Sequence, residues 1–208
     1  KVGLSGGSIY PNSVTNTIYK TVCFSANGGS ANTYAMHTDG KVGTLPVSNP
    51  TRDGYTFQGW NTSPAGTGYT VTTNTSLNSA TNTFYAVWKQ NNYDAVITAH
   101  QNGAAFAAVG NDAVVLSTSA SSAQTGKITA TPSNGVFTFS GIDPTVSMYV
   151  WAKNEAGSYV KQGSVSASST ALTVDYYDVI LTKGTGIDSV SGADTYLSGE
   201  TVTVGATL

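Results

Sequence analysis

Charge is what this chain has least of. Asp, Glu, Lys and Arg make up 10% of its 208 residues, against roughly 25% in ordinary soluble domains. The nine Lys and Arg are scattered singly and the formal net charge is -2, so the basic footprint of a nucleic-acid binder is missing. Cysteine occurs once, as Cys23, which excludes an intramolecular disulfide and a Cys-based zinc site. Long hydrophobic runs are absent too: the 39% of hydrophobic residues fall in short alternating stretches, never in one of about 18 residues. Neither a membrane span nor a signal peptide is expected, and the chain reads as a soluble mature segment.

What fills the space is hydroxyl and glycine. Thirty-one Thr, 24 Ser, 23 Gly and 12 Tyr leave little room for helix formers and supply residues suited to strands and turns. The expected fold class is mainly β. Low charge, abundant Ser, Thr and Asn, and a lone thiol lean toward an extracellular bacterial surface protein. If residues 21–26 form a strand, Val22 and Phe24 share its buried face and Cys23 points away. An exposed Cys23 would leave room only for an intermolecular disulfide.

Turn signals divide the chain. Residues 1–19 are rich in Gly, Ser and Asn and read as a lead-in or the tail of a preceding module. Thr21 to Ala26 alternates, and Asn27-Gly28-Gly29 supplies the positive φ of a tight turn. Residues 32–45 lack clean periodicity and precede Pro46 and Pro50, which suggests a short helix or irregular crossover. Asp53-Gly54 then leads into Tyr55 to Trp60, and Thr83 to Trp88 forms a last strand before the polar run Lys89 to Asn92.

Three stretches carry a family resemblance. Val22-Cys23-Phe24-Ser25-Ala26-Asn27-Gly28-Gly29, then Pro50 through Asp53-Gly54-Tyr55-Thr56-Phe57-Gln58-Gly59-Trp60, then Phe84-Tyr85-Ala86-Val87-Trp88 resemble the Listeria-Bacteroides repeat, the B repeat of internalin-like surface proteins. The resemblance implies a small β-grasp-like fold over residues 20–91, used as a wall-exposed spacer or interaction module. It also implies a structural core of Val22, Phe24, Tyr55, Phe57, Trp60 and Trp88. Cys23 departs from the polar residue usual at its place.

Residues 92–176 carry short apolar runs about ten residues apart, separated by Asn102-Gly103, Asn134-Gly135, Asp143-Pro144 and Ala156-Gly157, as in a β-sandwich. The stretch from Gly135 to Pro144, followed by a strand with Tyr149, resembles prealbumin-like and carboxypeptidase-regulatory-like sandwiches. Tyr177-Asp178-Val179-Ile180-Leu181 echoes Tyr93-Asp94-Ala95-Val96-Ile97, so each is expected to open a module. Residues 177–208 are too few for an independent core. They resemble the opening half of a divergent bacterial surface repeat, so an incomplete third β repeat is expected, with two alternatives: strands that finish an earlier domain, or an open edge that pairs with another molecule. The connectors favour limited hinge freedom and a rod-like array.

Chemistry finds few footholds. Asp39, Asp53, Asp112 and Asp143 stand beside Gly40, Gly54, Asn111 and Pro144, where turn formation explains them. His37 and His100 lie in different modules with no nucleophile motif near either. His37 and Asp39 would supply two metal ligands where three or four are needed. Gly184-Thr185-Gly186 lacks the helix and basic residue of a phosphate loop. Lys127, Lys153 and Lys161 at strand ends, with Glu155 and Glu200, fit an internal isopeptide bond poorly. No catalytic residue, metal site or cofactor is therefore expected.

One aromatic pair stands apart. In residues 146–152, Val146, Met148, Val150 and Ala152 share one face while Tyr149 and Trp151 share the other. If the aliphatic face is inward, Tyr149 and Trp151 form an outward platform for a glycan, or pack against other protein. The sequence thus suggests a non-catalytic stalk or spacer of a secreted or wall-attached protein. Its expected partners are a host or bacterial surface protein or a glycan. The alternative is a glycan-binding accessory module of a polysaccharide-active enzyme.

Overall fold

The computed structural model describes residues 18–37 and 40–208. Most of the expected lead-in, and Asp39 of the His37 pair, lie outside the described residues. The chain divides into two compact units between Gln90 and Asn91, and no helix occurs among the described residues.

The first unit is a four-stranded sheet of β1 (Lys20–Ser25), β2 (Thr33–His37), β3 (Tyr55–Asn61) and β4 (Thr81–Gln90). Its order is β2-β1-β4-β3, with β1 parallel to β4 and the outer pairs antiparallel. Alternation puts Val22, Phe24, Phe84 and Ala86 on one face, all at most 5% exposed. An apolar sheet face must be covered, and here irregular chain covers it: Val42, Val71 and Leu77 are buried against the strands, with Leu45 partly so. Backbone bonds tie those coverings together, from Val42 N to Thr75 O at 2.9 Å and from Leu77 N to Gly40 O at 2.7 Å.

The Asn27-Gly28-Gly29 turn is present. Asn27 and Gly28 have φ of 48° and 88°, Gly29 N donates to Ala26 O at 3.0 Å, and the two positive φ values suit a tight hairpin. Gly29 has no room for a side chain, because a Cβ would lie 2.6 Å from both Thr51 O and Trp88 Cζ2. Trp88 Nε1 donates to Ala26 O at 3.0 Å, and Asn27 Nδ2 donates to Ala86 O at 2.9 Å and Pro64 O at 2.8 Å. The first and third motif stretches therefore meet directly.

Two local expectations are corrected. Residues 33–37 form neither a helix nor an irregular crossover but the edge strand β2. Tyr34 and Met36 face outward at 70% and 65% exposure, so the apolar period of a half-buried strand is missing from the sequence. Tyr55 is half-buried and outside the core cluster. Its ring lies under the Arg52 guanidinium, 3.8 Å from Cζ to centroid, an arrangement in which the ring face attracts the cation. Of the other expected core residues, Val22, Phe24 and Trp60 are buried, and Phe57 and Trp88 pack partly buried against them. Phe57 and Trp60, three residues apart, reach the same core because a bulge shifts the β3 register between Phe57 and Gly59.

The second unit holds β5 (Tyr93–Gln101), β6 (Ala104–Ala105), β7 (Val114–Ser117), β8 (Ile128–Thr129), β9 (Val136–Ile142), β10 (Met148–Lys153), β11 (Tyr159–Val165) and β12 (Ala171–Val179). It continues through β13 (Ser189–Ser191), β14 (Asp194–Leu197) and β15 (Gly205–Thr207). One sheet runs β14-β12-β5, with β6 and β9 also paired to β5, and the other runs β11-β10-β7-β8. One core joins them: Ile97, Phe137, Phe139 and Val174 from the first sheet meet Leu116, Met148 and Val150 from the second, the layering of a sandwich.

The C-terminal residues add to this unit. The boundary placed at 176/177 falls inside β12, so Tyr177 opens no strand. Beyond it, β14 pairs antiparallel with the end of β12, and Leu197, 2% exposed, lies in the same core. That arrangement corresponds to the alternative in which these strands finish an earlier domain. β13 and β15 form a separate two-stranded ribbon.

Candidate functional site

On β10, Met148, Val150 and Ala152 enter the main core while Tyr149, Trp151 and Lys153 face the other way. Cross-strand register sets Trp151 opposite Lys161 and Lys153 opposite Tyr159 on β11. The outer face of this hairpin thus carries three rings interleaved with lysines. Lys161 Nζ stands 5.8 Å from the Tyr149 ring centroid, and Lys127 and Lys153 stand 5.2 and 5.4 Å from that of Tyr159. Lys127 Nζ also donates to Tyr159 Oη at 3.3 Å, and Tyr159 Oη donates to Asp112 O at 2.8 Å.

Trp151 is not the open platform that alternation suggests. It faces away from the main core as expected, but it is only 8% exposed, buried in a small satellite cluster with Val115 and Ala123 against which Tyr149 and Tyr159 pack. The cover is the segment after β7, whose Ser, Ala and Thr residues give no periodic signal. Ser117 holds it down: fully buried, its Oγ lies 2.6 Å from both Ser122 O and Thr125 O and accepts from Ser119 N at 3.0 Å. Ser117→Ala removes the buried hydroxyl shared between those carbonyls, leaving Thr125 O with only the Thr118 donors, and is expected to cost about 1–3 kcal/mol. It should also speed exchange of the amides of residues 118–126 with solvent, whereas unchanged exchange would show that backbone bonds alone hold the segment.

At one end of the hairpin a cavity of about 260 Å³ is lined by Phe106, Val109, Asp112, Lys153, Glu155 and Tyr176, among others. Lys153 and Asp112 form an ion pair at its rim, and the hydrogen bond between them holds the Asp112 carboxyl below its ordinary range and the Lys153 ammonium above its own. Tyr176 lies edge-on to Phe106, ring centroids 5.2 Å apart. Burial first, then the Glu200 charge, pushes its phenol upward, so it stays protonated and can act as a donor. Its Oη reaches Lys153 O at 3.3 Å.

Two polar pairings were not legible from the sequence because parallel pairing creates them. β5 runs parallel to β12, which puts His100 Nδ1 3.4 Å from Asp175 Oδ1. It also brings the turn after β5 to Asp178, whose carboxylate accepts from Gln101 Nε2 at 2.7 Å and Asn102 Nδ2 at 2.8 Å, while antiparallel β14 sets Thr195 opposite it, Oγ1 donating at 2.6 Å. These donors, Thr195 foremost, hold the Asp178 carboxyl below its ordinary value. Its contribution is therefore complete above the unfolded-state value and disappears as pH falls through the lowered one. Urea midpoints of wild type and Asp178→Asn should differ at neutral pH and converge on acidification; a gap independent of pH would rule the linkage out.

Asp143 and Gly186 serve turns, as their neighbours suggest. Asp143 Oδ1 accepts from Thr145 N at 2.9 Å, and Gly186, at φ 79°, lies in a turn closed from Ile187 N to Gly184 O at 3.3 Å. Among the described residues no three His, Cys, Asp or Glu side chains gather where a metal ion could be held, and no helix is long and apolar enough to cross a membrane. Cys23 is half-buried on the face of β1 opposite Val22 and Phe24.

Comparison with known proteins gives a clear result for the first unit. Residues 21–87 match the family model of the Listeria-Bacteroides repeat domain, a match that supports a bacterial, surface-associated repeat module over this stretch. The matched span covers the β2-β1-β4-β3 sheet except Lys20 and the last three residues of β4. No curated protein and no solved structure matches the chain.

Proposed function

We propose that this chain is a non-catalytic segment of a bacterial cell-surface or secreted protein, serving as a spacer that also offers an adhesive contact surface. The observation that carries this reading is the repeat match over residues 21–87, together with a second unit that builds a sandwich core of its own. In the first unit the motif aromatics Phe57, Trp60 and Trp88 pack with Phe24: Phe24 and Trp60 lie 5.0 Å apart, and Phe57 and Trp88 5.7 Å. These motif rings are spent mainly on internal packing. In this reading residues 20–91 are the repeat module and residues 92–176, with the strands that follow, form a sandwich module.

The test is accessibility on intact cells. An antibody raised against the purified chain should label unpermeabilised cells of the encoding bacterium, or detect the chain in culture medium, and brief protease treatment of those cells should remove the cell-bound signal. Detection only after lysis would refute the assignment.

A further inference from the structure

We infer that the outer face of the β10–β11 hairpin is a binding site for an anionic polysaccharide, with Lys161 and Lys127 as its charged contacts and Tyr149 and Tyr159 as its stacking surfaces. This extends the contact-surface part of the function proposed above and rests on it only for the setting in which such a polymer would be met.

The argument begins with charge segregation. Residues 91–208 contain four lysines, no arginine and nine carboxylates. Three of those four lysines nevertheless converge on one face, each within 6 Å of a tyrosine ring. Lys153 is neutralised by Asp112, and Glu155, in the turn after β10, is the other nearby acid in the sequence. Lys127 and Lys161 are exposed and have no carboxylate partner among the described residues. Lys127 lies within the field of Asp112, whose ion pair Lys153 already holds, and Lys161 has no acid against it, so three cations and one paired carboxylate meet at these rings in an otherwise acidic unit.

The rings are what select a carbohydrate. Tyr149 and Tyr159 are half-buried, held from below by Trp151, Val115 and Ala123, so each offers a fixed apolar surface next to a cation. A sugar ring has apolar C–H faces that lie against such a surface, while a carboxylate or phosphate on the same residue reaches the lysine. The role of Trp151 follows: it does not touch the ligand but fixes the two tyrosines. An acidic peptide would satisfy the lysines and leave the rings without a flat partner.

The intact chain should be titrated at low ionic strength with polygalacturonate, which carries carboxylates, and with a phosphomannan, which carries phosphates. Dextran serves as the neutral polymer and polyglutamate as the acidic peptide. Binding of one or both anionic polysaccharides, weakened by added salt and exceeding that of dextran and polyglutamate, is the expected result, and the tighter of the two names the anion. The double variant K127E/K161E should bind at least roughly tenfold more weakly with an unchanged near-ultraviolet circular dichroism spectrum, and K127R/K161R should restore binding. Equal binding of polyglutamate would overturn the carbohydrate assignment. Failure of both polysaccharides to bind, or full binding by the charge-reversed protein, would overturn the site itself. Neither failure bears on whether the chain reaches the cell surface, which the labelling experiment decides separately.

Discussion

Replacing Phe24 by Ala should cost the first unit about 3–5 kcal/mol, the range for deleting a buried phenyl ring. The ring is 1% exposed and sits between Trp60 at 5.0 Å and Phe84 at 5.8 Å, so no neighbour can collapse into the gap without breaking its own contacts. Typical domain stabilities are only about 5–15 kcal/mol, and this unit builds its core from a handful of buried side chains. The variant should lose most of its amide protection in β1 and β4 at temperatures where the wild type keeps it. Cys23→Ala, one residue away on the outer face, should leave protection unchanged. Equal effects of the two substitutions would mean that the sheet has been assigned the wrong buried face.

Leu197→Ala tests the extent of the second unit. Leu197 is 2% exposed, and its N–H donates to Glu200 Oε2 at 2.8 Å while Glu200 Oε1 accepts from Asn154 Nδ2 at 2.7 Å. The side chain thus belongs to the core shared with Ile97 and Phe137, and the backbone around it is tied to the turn after β10. Truncation should destabilise the whole unit by about 2–5 kcal/mol, read as a lower urea midpoint for residues 91–208 together. If residues 177–208 instead belonged to a separate module, the amides of β5 and β9 would keep their protection in the variant.

Much of the first unit was legible because its signals are local. Val22 and Phe24, then Phe84 and Ala86, alternate as a half-buried strand requires, and Asn27-Gly28 announces its turn. Trp60 illustrates the limit: its parity conflicts with Phe57, and only the bulge before Gly59 puts both rings on one face. Tyr55 follows Phe57 in parity, yet the Arg52 guanidinium claims it. β2 stayed hidden because its large side chains face outward.

In the second unit the reading failed where partners are distant in sequence. Alternation placed Tyr149 and Trp151 on the correct face of β10, but nothing in the Ser- and Ala-rich stretch around Ala123 announced that it would fold over Trp151. The lysines that frame the candidate site come from three separate segments, at 127, 153 and 161: the β10–β11 register joins the last two, and Lys127 arrives just before β8 through the β8-β7-β10 pairing. Tyr177 repeats the pattern of Tyr93, yet it sits near the end of a strand and not at its start. The repetition reflects similar strand chemistry, since β5 and β12 lie side by side in parallel.

The parallel pairing of β1 with β4 bears on how the first unit responds to force. In this pairing Thr21 stands beside Thr81 and Ser25 beside Tyr85, so the backbone enters the unit at one end of the strand pair and leaves at the other. A pull applied through Lys20 and Gln90 drags the two strands past each other along their length. Every hydrogen bond between them is then loaded in shear at the same moment, whereas an antiparallel pair pulled from adjacent ends would unzip one bond at a time. A strand pair built this way resists tension through its topology alone.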